Sequence, residues 1–265
     1  MLTSWIAMVA FVIVPAVVVA ALHVIVRRLV PPERLAPHHE VAGFLVAIVG
    51  VLYAVVLGFL VVTVWSSFQS VQSDADLEAF SLGDAYGFAG ALPEPQRSGI
   101  RRDLARYALE VRDVEWERLA HDQPDERARA LLIHAFRQMA TVPIPNDEGF
   151  GTALRQQSLV NDVVDSLHQV WDHRRLRLTE AHSHLAPALY LAIVLGAAIV
   201  LAFVFLFGVE YGMLQLIMTA LVAGCIGLLF GVIVEFSQPY GGLIRVSPAA
   251  WSEVIQQNGL TRAAR

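Results

Sequence analysis

Apolar residues fall in four long runs, Trp5–Val26, Ala42–Trp65, Ala188–Gly208 and Met213–Phe236, two on each side of a polar middle of about 120 residues. Each run is long enough to cross a hydrocarbon core of about 30 Å as a helix. The first two are joined by the Pro- and Arg-rich link 27–40, the last two by GVEYG, 208–212, which predicts a tight hairpin.

The pattern then changes to a 3- and 4-residue step. Phe68, Val71, Ala75, Ala79, Leu82, Tyr86 and Ala89 make one helical stripe. No strong breaker separates it from the second run, so one helix is expected from the second span to just before Pro93. About 50 residues at 1.5 Å each reach roughly 75 Å. Pro93 to Pro95 form a turn, and Ile100, Leu104, Tyr107, Val111 and Val114 make a second stripe. A shorter helix is expected over about 124–140, then a loop carrying Pro143, Pro145 and Asn146 to Gly149. A last helix has Leu154, Val160, Val163, Leu167 and Val170 on one face and runs toward the third span, with Pro187 near that entry.

The predicted fold is all-α. Four transmembrane helices stand in two pairs, with a soluble helical bundle inserted between the second and third spans. The expected segments are 1–65, spans one and two with their link; 66–187, the bundle, continuous with spans two and three; 188–236, a transmembrane hairpin; and 237–265, a polar tail.

Composition supports a multi-pass membrane protein: 56% hydrophobic residues and a mean hydropathy of +0.55. The net charge of −5 gives no hint of nucleic-acid binding. The single cysteine, Cys225, excludes a disulfide framework or a cysteine-based zinc site within one chain. Arg27 and Arg28 follow the first run like a stop-transfer flank, which speaks against a cleaved signal peptide. His23 and Glu235 sit near span ends, Glu210 lies in a link, and no Asp, Glu, Lys or Arg falls mid-span; proton relays and voltage sensors usually need one. Arginine counts near the span ends are three for the first link against four for the middle domain and tail. They lean to cytoplasmic termini and a cytoplasmic middle domain in a bacterial inner membrane.

The second span carries two faces of interest. Gly43, Ala47, Gly50, Ala54 and Gly58 make a small-residue face that lets backbones approach. Val46, Gly50, Tyr53, Leu57, Leu60 and Val64 make a stripe that would form a dewetting constriction if several subunits met on it; ordinary lipid or core contact is the competing reading. Asp74, Glu78 and Asp84 follow that span, while Arg174, Arg175 and Arg177 precede the third. They are candidate charges at a pore mouth, or charges of antiparallel helices that pair with each other. Trp116 is expected at the bundle base or the membrane interface. Glu180 with His182 and His184, and His168 with Asp172, fall short of the three or four convergent ligands a metal needs. No nucleotide loop, nucleophile elbow or metalloprotease motif is present. The expectation is no enzyme, no cofactor and no metal.

Several stretches carry a family resemblance: LYAVVLGFLVVTVW (52–65) with Glu78 and Ala79 beyond it, ALPEPQRSGIRRDLARYALEVRDVEW (91–116), FGVEYGMLQLIMTALVAG (207–224) and PYGGLIRVSP (239–248). Together they resemble the prokaryotic and plant bestrophin-like domain family of unknown function, over most of the chain from about residue 42. The resemblance implies kinship with bestrophins, oligomeric anion channels with two spans, a cytosolic helical region and two more spans, whose second span lines the pore. No bestrophin neck motif can be placed residue by residue, and no acidic calcium-clasp cluster is evident. The expected function is a homo-oligomeric ion channel in a lipid bilayer, passing small inorganic ions, anions by kinship. The alternative is a membrane-anchored sensor or scaffold whose middle domain binds a ligand or a partner protein.

Overall fold

The computed structural model describes residues 2–29, 39–121, 123–143, 150–181, 185–206 and 212–264. The described residues are helical, without a strand. In chain order the helices are α1 (Leu2–Leu29), α2 (His39–Ala89), α3 (Gln96–Glu110), a π-helical turn (Val111–Glu115), α4 (Trp116–Leu119), α5 (Glu126–Met139), α6 (Phe150–Ala181), α7 (Pro187–Phe205), α8 (Gly212–Phe236), α9 (Ala249–Gln257) and α10 (Leu260–Ala263). The expected long helix is present as α2, 51 residues without a break. α6 ends at Ala181 and α7 begins on Pro187, whose missing N–H costs nothing in a first turn. Of the expected links 27–40 and 208–212, residues 30–38 and 208–211 lie outside the described residues, as do most of the loop at 144–149, His182 and His184.

Contacts divide the chain into two compact units. The first comprises Met1–Ser66 and His184–Ser237. Among the described residues four helices are long and apolar enough to cross a membrane: Met8–Leu29, a stretch within Val41–Ala89, Pro187–Phe205 and Gly212–Phe236. Within this unit α1 lies along α8, and three glycines permit the approach. A Cβ on Gly227 would run into the Phe11 carbonyl and lie 2.8 Å from Pro15 Cγ; one on Gly231 would lie 3.0 Å from Phe11 Cβ. At Gly227 the obstacle is backbone, which cannot yield as a flexible side chain would, so only glycine fits there. A second contact joins α2 to α7 and α8 through Leu57, Leu60, Val64, Ile193 and Ile233, all buried. Tyr53 adds a hydrogen bond from its hydroxyl to the Ile193 carbonyl at 3.0 Å.

The second unit comprises Ser67–Ser183 and Gln238–Arg265. Its core follows the predicted stripes. Phe68, Val71, Ala75, Ala79, Leu82, Tyr86 and Ala89 of α2 are buried, as are Ile100, Leu104, Tyr107 and Val111. Val163, Leu167 and Val170 of α6 and Ala128, Leu132, Ala135 and Met139 of α5 close the same core. The C-terminal residues also enter it: Trp251, Val254 and Ile255 on α9 and Leu260 on α10 are buried. Asp125 caps α5, its carboxylate accepting from the Arg127 N–H at 2.9 Å.

Two expected core positions are corrected. Val114 is 36% exposed, and its neighbour Glu115 is fully buried. The π turn inserts a residue into the helical repeat, so the inward stripe passes from Val111 to Glu115 rather than to Val114. Leu154 is exposed because it lies in the first turns of α6, short of the core residues that begin near Val163.

Candidate functional site

The second unit contains a buried cluster of ionised groups. α2 supplies Glu78, α3 supplies Tyr107, the π turn supplies Glu115, and α6 supplies Arg174 and Arg177 one turn apart. Glu78, Tyr107, Glu115 and Arg177 are each 0% exposed and Arg174 only 5%. Helical spacing puts Glu78 on the apolar stripe of α2, one residue before Ala79, and the π turn rotates Glu115 inward to meet it.

The geometry is that of a closed network. Arg177 Nε donates to Glu78 Oε2 at 2.5 Å, and its Nη2 reaches Glu78 Oε1 at 3.2 Å and Glu115 Oε1 at 2.8 Å. Arg174 forks onto Glu115, Nη1 to Oε1 at 2.9 Å and Nη2 to Oε2 at 2.6 Å, and also donates to the Asp125 carbonyl at 3.1 Å. The Tyr107 hydroxyl donates to Glu78 Oε1 at 2.5 Å. Two carboxylates and two guanidinium groups balance in charge, the condition under which ions tolerate a dry interior. Burial pushes the Glu115 carboxyl up, but Arg177 and Arg174 outweigh it and hold it below the usual range. Burial, reinforced by Glu78, holds the Tyr107 phenol well above its usual value, so it remains a donor. Burial alone would lower both arginines, and their acidic neighbours reverse that.

Aromatic rings close one side. The Arg177 guanidinium sits 5.3 Å over the Trp116 ring, and Tyr240 packs edge-on to Trp116 at 5.3 Å. Trp116 Nε1 donates to the Val246 carbonyl at 3.1 Å, tying the C-terminal segment down. Two smaller pairs flank the cluster. Asp74 Oδ1 lies 2.9 Å from His173 Nδ1, and Asp103 Oδ2 takes both His134 Nδ1 and Gln138 Nε2 at 2.5 Å.

Of the sequence-derived charge candidates, Glu78, Arg174 and Arg177 are therefore brought together, and Asp74 pairs with His173. Asp84 and Arg175 are exposed. Tyr107, Asp125 and Asp103 were not among the candidates; Tyr107 reads as one more apolar stripe residue, and nothing local marks the aspartates. Among the described residues no three His, Cys, Asp or Glu side chains converge as metal ligands. On the second span, Leu57, Leu60 and Val64 are buried within the first unit, and Val46, Gly50 and Tyr53 are half-buried. Nothing lies within 4 Å of where a Cβ would stand on Gly50 or Gly58.

Among the described residues, four helices long and apolar enough to span define the class of a polytopic membrane protein. The chain belongs to the Bestrophin-like family, whose domain model matches residues 13–251. Among solved structures it is similar to a bacterial bestrophin homologue from Klebsiella pneumoniae carrying a point mutation. The two are 12% identical, with 94% of this chain and 99% of that one covered and a TM-score of 0.62, a likeness of fold. No curated protein matches the sequence.

Proposed function

We propose that the protein is one subunit of a homo-oligomeric ion channel in a cell membrane, with α2 lining the conduction axis and the second unit on the cytoplasmic side. It is a conductor of small inorganic anions and not an enzyme. The observation that carries this reading is the extent of the family match, residues 13–251, which takes in the spans and the helical bundle together. The fold likeness to the bacterial bestrophin homologue over 94% of the chain supports the same reading.

The face of α2 offered to the axis follows from what is already covered. Leu57, Leu60 and Val64 are occupied inside the chain, and the glycines of α8 are filled by α1. The small-residue face of α2, with Gly50 and Gly58 open, is left for neighbouring copies or for a narrow aqueous path. In this reading the buried cluster does not touch the permeant ion. It holds the Glu78 end of α2 within the second unit.

Planar-bilayer recording of the purified full chain tests the proposal. A conductance whose reversal potential follows the chloride gradient is the expected result. Absence of conductance across pH, calcium and salt overturns it; a stable co-purifying protein in that case favours the sensor or scaffold reading.

A further inference from the structure

Beside the cluster lie two more acidic side chains that the proposed channel does not use. Glu110 ends α3, and Asp125 caps α5. Asp125 is 2% exposed. Its Oδ1 accepts the Arg127 N–H at 2.9 Å and lies 3.6 Å from Arg118 Nη1. Its Oδ2 is buried without a donor, and so is Oε1 of Glu110. The two carboxyl groups meet side chain to side chain. An ionised carboxylate is only an acceptor, so two ionised groups in this contact satisfy neither oxygen and repel each other. A carboxylic acid donates, and one proton satisfies both. Neither oxygen is open to solvent.

We propose that Glu110 and Asp125 form a proton-binding site that holds a single shared proton between Glu110 Oε1 and Asp125 Oδ2. The charged surroundings are mixed. Arg118 on α4 and Arg127 on α5 favour ionisation, and Arg106, Arg137 and His134 line the same cleft of about 700 Å³. Burial and the neighbouring Asp125 nevertheless push the Glu110 carboxyl up.

The proton reaches further than the pair. The Asp125 N–H donates to Glu115 Oε2 at 3.3 Å, and its carbonyl receives Arg174 Nη2 at 3.1 Å. Losing the proton sets two negative charges in contact and pushes Asp125 from its place as the cap of α5. That loosens a backbone group on which Glu115 and Arg174 both rest. The pair is therefore a proton-operated latch on the buried cluster, set beside a π turn, a feature frequent at functional sites.

The sign follows from linkage. Glu110 is raised in the folded chain, so its contribution is full below the unfolded carboxylate value and is lost as pH rises through the folded one. Thermal unfolding of the full chain in detergent from about pH 5 to about pH 8 tests this for wild type, Glu110→Gln and Asp125→Asn. Either amide supplies a permanent donor between the same atoms. Wild type should show a downward stability slope with pH that exceeds each variant's by about one proton per chain. Infrared spectra should show a protonated-carboxyl band that persists to higher pH in the wild type than in either variant. Equal pH slopes in all three proteins, or a band that persists to the same pH in both variants, overturns the proposal.

Discussion

Arg177→Met tests the buried cluster most severely. Methionine keeps much of the apolar stem and removes the charge. In the wild type Arg177 makes three charge-assisted hydrogen bonds, two to Glu78 and one to Glu115, with no exposure. Without it, Glu78 keeps only the Tyr107 hydroxyl, and Arg174, which bonds Glu115, is left as the one guanidinium for two buried carboxylates. Breaking a buried pair by removing one partner costs about 3–5 kcal/mol, against a typical total of about 5–15 kcal/mol. At about 2–4 °C per kcal/mol for a chain near this size, the melting temperature should fall by about 10 °C. The cost is one of uncompensated charge, so it should be partly repaired by neutralising the partner. Glu78→Gln with Arg177→Met should be more stable than the sum of the two single variants by about 2 kcal/mol. Melting curves of all four proteins in one detergent supply the cycle. A fall of less than about 2 °C for Arg177→Met, or strict additivity in the double variant, would refute the reasoning.

Gly227→Leu should separate α1 from α8, because its side chain meets the Phe11 carbonyl and the Pro15 ring; about 1–3 kcal/mol of lost resistance to detergent unfolding is expected. A Cβ at Gly58 meets nothing within 4 Å, so Gly58→Leu should leave that resistance unchanged while weakening assembly in cross-linking or native mass spectrometry. Trp116→Phe keeps the ring and removes the donor to Val246, so it should cost about 1 kcal/mol and raise proteolytic cleavage of the C-terminal segment. The Glu115 carboxyl is depressed in the folded chain, so its contribution is present above the unfolded carboxylate value and lost as pH falls through the lower one. Acid unfolding of the wild type should therefore proceed with net proton uptake.

The all-helical character and the positions of the helices were legible because apolar spacing dominates them. Runs of span length and stripes at 3- and 4-residue steps put α1, α2, α7 and α8, and the inward face of α2, where they are. The ring of charge was half legible. Antiparallel helices with Glu78 on one and Arg174 and Arg177 on the other invite pairing, and they do pair. Glu115 was not legible because helical pitch leaves Val114 and Glu115 about equally close to the stripe, and hydrophobicity favours Val114, whereas the chain buries Glu115 at the π turn. The C-terminal residues looked polar on average, and five apolar positions among them, Ala250, Trp251, Val254, Ile255 and Leu260, were enough to join the core. Which helix lies against which was not legible either: α1 finds the glycines of α8, distant in sequence, and periodicity carries no information about partners.

The central claim is that α2 lines a conducting axis with its small-residue face. It is tested most directly by recording current from Cys225→Ser protein, since the native Cys225 is exposed, carrying either Gly58→Cys or Leu60→Cys, while a charged thiol reagent is added. The account predicts that current through the Gly58→Cys protein is blocked and that Leu60→Cys, buried at 6% exposure, is spared. An absent current, or a block at Leu60→Cys with none at Gly58→Cys, would contradict it.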